Sequence, residues 1–163
     1  MILGMTPLTF IHVLLSLIGI LSGAVVLFGL LGSRRLDGCT GTFLTTTVLT
    51  SATGYLFPFH KLLPSHIIGA ISLIVLGIAI FARYSKQLAG SWRRIYVISA
   101  MIAFYLNVFV LIFQAFLKVP ALKAAAPTQS EPPFVAAQVA VMILFAVITV
   151  VAAKRFRAEE LAA

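Results

Sequence analysis

The chain has 163 residues, of which 61% are hydrophobic and only 10% charged. Soluble domains average roughly 45–50% apolar and about 25% charged residues, so this composition, with a mean hydropathy of +1.12, excludes a soluble single-domain enzyme. Five apolar stretches of roughly 20 residues would take about 100 residues and leave only short loops and a tail. The whole of 1–163 therefore reads as one transmembrane domain.

In chain order the apolar runs cover 8–31, 42–59, 66–82, 95–117 and 134–153. Even the second, rich in threonine, would extend about 27 Å as a helix, close to the hydrocarbon thickness. The runs are continuous rather than alternating, which argues against a β-barrel. Backbone groups in lipid must be satisfied within the segment, so the expected fold is an all-α bundle of five transmembrane helices. Residues 1–7 carry no Lys or Arg and the first run exceeds a leader's apolar core. It is expected to be a retained span. A re-entrant hairpin of spans two and three would leave the same charge pattern.

Charge sets the expected orientation. Arg34, Arg35, Arg83, Lys86, Arg93, Arg94, Lys154, Arg155 and Arg157 fall on one side, against Lys61, Lys118 and Lys123 on the other. Positive charge marks the cytoplasm, which places the N-terminus outside and the C-terminus inside. The net charge of +8 is thereby explained by topology and contact with the lipid bilayer, without nucleic acid as a partner. Trp92 and Tyr84, beside arginines, read as interfacial belt residues. Cys39, the only cysteine, forms no intramolecular disulfide.

Few residues within the spans can carry chemistry. His12, His60 and His66 all fall near the outer face, and imidazole is a ligand for haem and metals. They are the candidate cofactor-binding residues, for haem b between two helices or for a copper or zinc ion. The bland alternative is hydration at the interface. His12, Ser16, Gly19 and Gly23 share a helical face, as do His66, Ala70, Leu73 and Gly77; Thr46, Thr50 and Thr53; and Ala100, Ala103, Asn107 and Gln114. Such stripes signal close packing. Asn107, Gln114, Lys118, Glu131 and Gln138 are the candidate polar or partner contacts, with Lys118 or Lys123 expected to pair with Glu131. The outer loop, 118–133, carries four prolines and is a candidate docking surface. The acids, Asp37, Glu131, Glu159 and Glu160, all fall in loops or the tail, so no span holds the carboxylate that proton-coupled transport generally uses. No Ser–His–Asp, HExxH, CxxC or P-loop spacing supports a hydrolase or a nucleotide-driven machine.

The stretches NVFVLIFQAFLKVPAL (107–122) and APTQSEPPF (126–134) resemble an uncharacterised family of small multi-pass bacterial inner-membrane proteins. The resemblance implies location in the bacterial inner (plasma) membrane. A looser likeness to the four-helix membrane cytochromes b, carried by histidines on apolar helices, implies haem. Those proteins place ligands near both faces, and this chain lacks the inner set, which argues against electron transfer across the membrane. Two readings follow: a non-catalytic accessory or structural subunit that docks a partner through its outer loop, or a haem- or metal-binding redox protein.

Overall fold

The computed structural model describes residues 6–57 and 64–157, and within them every regular element is helical. Helix α1 is Pro7–Leu31, α2 Asp37–Gly54, α3 Pro64–Ile80, α4 Trp92–Lys118, α5 Pro120–Ala125 and α6 Pro132–Arg155, with a π-helical turn, Phe81–Ser85, continuing α3.

Local chemistry marks the boundaries. Thr6 caps α1 by accepting a hydrogen bond from the Thr9 N–H, with Pro7 following at the first helical position. Prolines open α3, α5 and α6 in the same way. Helix α4 ends two residues before Pro120, which forces the preceding residue out of the helical region. The turn from α3 to α4 passes through left-handed backbone at Gln87, Leu88 and Gly90.

Five spans are expected from the sequence; four helices are long and apolar enough to cross a membrane, namely Pro7–Leu31, His66–Ser85, Trp92–Lys118 and Pro132–Arg155. Helix α2 is the exception. Its threonines lower its hydropathy, yet the hydroxyls of Thr42, Thr46, Thr47, Thr50 and Thr53 bond carbonyls of their own helix. That satisfies each hydroxyl locally. Helix α2 lies against α1, α3 and, more lightly, α4.

Helix α4 is the hub, touching every other helix, whereas α6 is the least enclosed of the four apolar helices. The core is formed by Val26 and Leu30 of α1, Phe43 and Leu44 of α2, Leu76 and Ala79 of α3, and Tyr96, Val97, Ala100, Met101, Ala103 and Phe104 of α4. Large apolar side chains such as Leu21, Phe28, Ile74, Ile143 and Val147 face outwards, the inversion that a lipid solvent permits.

One small-residue face is placed where the sequence predicts it. A Cβ on Gly19 would come within 3.1 Å of Asn107 Nδ2 and Thr47 Oγ1, and one on Gly23 within 2.9 Å of Phe104. Glycines here let α1 meet α2 and α4 at backbone distance. The expected α3 stripe is corrected: His66 is buried, but Ala70 and Gly77 are exposed. The buried line of α3 instead runs through Ser72, Leu76 and Ala79, a 3.6-residue repeat to which position 77 does not belong.

Candidate functional site

The polar groups separate into two ends and a middle. At one end, the last turn of α2 lies between α1 and α3. His12 Nδ1 is 2.9 Å from Thr53 Oγ1, and Thr53 donates its own proton to the Thr50 carbonyl at 3.1 Å. Which of the two donates follows the tautomer of the imidazole. Phe57 presents its edge to the same ring at 5.3 Å. His66 is buried, with Tyr55 donating its hydroxyl proton to the His66 carbonyl at 2.7 Å and the two rings 5.7 Å apart.

Thr53 and Tyr55 lie about 200° apart around the helix. His12 and His66 thus address opposite sides of α2 and do not face one another across a shared space. His60 lies outside the described residues. Among the described residues no group of three His, Cys, Asp or Glu side chains converges.

The middle is a set of bridges between helices. Ser16 donates to Asn107 Oδ1 at 2.8 Å, joining α1 to α4. Ser51 and Ser72 join α2 to α3 at 3.0 Å. Gln138, buried on α6, donates its amide to the Phe109 carbonyl of α4 at 3.1 Å. Each pair replaces an unsatisfied group in an apolar medium with a fixed register. Gln114 and Lys118 are exposed on the last turns of α4. Of the five expected contact residues, Asn107, Gln138 and Glu131 are each bonded to different partners rather than gathered into one site.

The outer loop departs from the expected ion pair. Glu131 is held by Thr128, through its N–H at 3.1 Å and its hydroxyl at 2.8 Å, and by the Ser130 N–H at 3.1 Å, not by Lys118 or Lys123. Desolvation acts to raise the Glu131 carboxyl, but these hydrogen bonds outweigh it and hold the group below its ordinary value. The loop is also not structureless. It contains α5, and Ala126 is sealed beneath Phe116 and Phe134, whose rings meet edge to face at 5.4 Å.

The opposite end holds an arrangement that the sequence reading misses. The Arg83 guanidinium, with 2% of its side chain exposed, pairs with Asp37 at the start of α2. It also lies 5.3 Å from the centroid of the fully buried Tyr96 ring. Arg35 reaches the same carboxylate at 3.8 Å. The π-helical turn, which shifts the phase of a helix, contains Arg83. The available signal is that Asp37 is the one acid in the two basic loops that follow the first and third spans, although treating it as a loop residue hides its position at a helix N-terminus. Ser33 accepts a hydrogen bond from the Arg157 N–H at 2.8 Å. Together with Phe156 on Tyr96, this brings the ends of α1, α3 and α6 and the starts of α2 and α4 to one end of the bundle.

These helices and their outward aliphatic faces fit a membrane protein. No family model, no curated protein and no solved structure matches the chain.

Proposed function

We propose that this is a multi-pass inner-membrane accessory subunit, without catalysis of its own, that docks a membrane protein partner through the loop 118–133. The observation that carries the reading is that this loop is built rather than slack. A short helix, a buried Phe116–Ala126–Phe134 anchor and a capped Glu131 present Pro120, Ala121, Lys123 and Ala124 to the exterior. Pre-ordering of this kind lowers the entropy cost of association. The intramembrane polar groups support the same reading, since Ser16, Asn107, Ser51, Ser72 and Gln138 are committed to joining helices.

In this reading the end bearing nine of the twelve basic residues faces the cytoplasm, and the N-terminus and loop 118–133 face outwards. Helix α2 completes an odd number of crossings, sheltered by its neighbours and with its hydroxyls bonded internally. The bacterial inner membrane enters through the family resemblance of 107–134. A photo-crosslinking residue at Ala121 in the native host should give one discrete adduct that is absent when the residue is placed at the outward-facing Ile143. Equal or absent adducts at both positions would defeat the docking role.

A further inference from the structure

We propose that the partner taken by the loop 118–133 is a protein with an acidic segment, whose carboxylates face Lys118 and Lys123. This deepens the docking reading and rests on it. Within α5 only Leu122 packs onto the Phe116–Ala126–Phe134 anchor, while Pro120, Ala121, Lys123, Ala124 and Ala125 are exposed. With Val119, which is 44% exposed, the prolyl and alanyl side chains make a low apolar strip between and beside the two lysines. Alanine and proline lose almost no side-chain entropy when covered. The charge on this surface is one-sided. The ion pairs among the described residues are Arg35–Asp37 and Arg83–Asp37, so neither lysine meets a carboxylate there. The loop's own acid, Glu131, is turned back onto the Thr128 N–H and hydroxyl and the Ser130 N–H. In the proposed orientation both lysines stand on the side where positive charge opposes insertion, so topology gives no reason for them, unlike the nine basic residues at the other end. Carboxylates on the partner supply the complementary charge, and contact along the strip excludes water around them. A lipid headgroup would neutralise the lysines equally well but would leave the ordered strip beside them unused, which favours protein.

The test uses the full chain in its native host with the photo-crosslinking residue at Ala121. Lys118→Glu with Lys123→Glu sets like charge against the partner and should lower the yield of the protein adduct about tenfold or more. Lys118→Arg with Lys123→Arg keeps the charge and should keep the adduct. Mass spectrometry should place the crosslink in a partner segment rich in Asp and Glu. Replacing those acids by Lys should restore the adduct to the charge-reversed chain and lower it with the native one, which also shows that the reversed chain folds. A protein adduct whose yield is unchanged by the reversal, or a reversal that the partner's Lys replacements do not rescue, overturns the inference and leaves the docking role standing. An adduct with phospholipid, or with a second copy of this chain, overturns it as well. The absence of any discrete adduct at Ala121 in the native chain defeats the docking role itself, and this inference with it.

Discussion

Glycines at neighbouring heights in this bundle have opposite roles, and substitution separates them. Gly23→Leu drives a side chain into Phe104, only 2.9 Å from where its Cβ would stand. It should cost about 1–3 kcal/mol by overpacking, measured as a lower Tm in detergent. Gly77→Ala meets open space and should leave stability unchanged or raise it by about 0.5–1 kcal/mol through the helix backbone. Asn107→Ala should cost about 0.6 kcal/mol, the average for a hydrogen bond between membrane helices; a loss several times larger would show that Asn107 does more than join α4 to Ser16. The stripe through His12, Ser16, Gly19 and Gly23 was legible in the sequence because small and polar residues repeat at helical spacing on an otherwise bulky helix. The partner of His12 was not. Three threonines on one face of α2 do not reveal whether they meet α1 or α3, and that is decided by tertiary packing.

At the scale of elements, two ties hold helix ends. Asp37→Ala leaves the Arg83 guanidinium buried with aromatic rings but without its carboxylate, and should cost about 1–3 kcal/mol. Adding Arg83→Met should recover part of that loss, since the uncompensated charge is then gone. A double variant less stable than the first would contradict this account. The other tie is Glu131. Its carboxyl is held below its ordinary value, so its stabilisation of the loop is complete above the unfolded pKa, near 4.5, and is lost as pH falls through the lower folded value. Proteolysis of the loop should accelerate in that acid window in the native chain and be pH-insensitive there in Glu131→Gln. Of the prolines that made 118–133 look like an open connection, Pro120 starts α5 and Pro132 starts α6. The number of membrane-worthy helices was harder to read from composition. Helix α2 has span length, but its threonine content falls short of the apolarity of the other four, and the internal bonding of its hydroxyls is visible only in three dimensions.

For the whole molecule, the distribution of charge carries the account. The segments bearing Arg34, Arg83, Arg93 and Arg157 are distant in sequence yet meet at one end of the bundle through Asp37–Arg83 and Ser33–Arg157, while α5 and the Glu131 cap stand with the starts of α1 and α6 away from it. This separation was legible early because a charge count along alternating apolar runs depends only on parity. The histidines, by contrast, gave a count and a depth but no direction, and direction is what keeps His12 and His66 on opposite sides of α2. The most direct test is the sidedness of the two ends. In intact cells, with Cys39 replaced by serine, a thiol reagent that cannot cross the membrane should modify Lys123→Cys at once and Lys86→Cys only after permeabilisation. Labelling of Lys86→Cys from outside, or of both positions equally, would contradict the account.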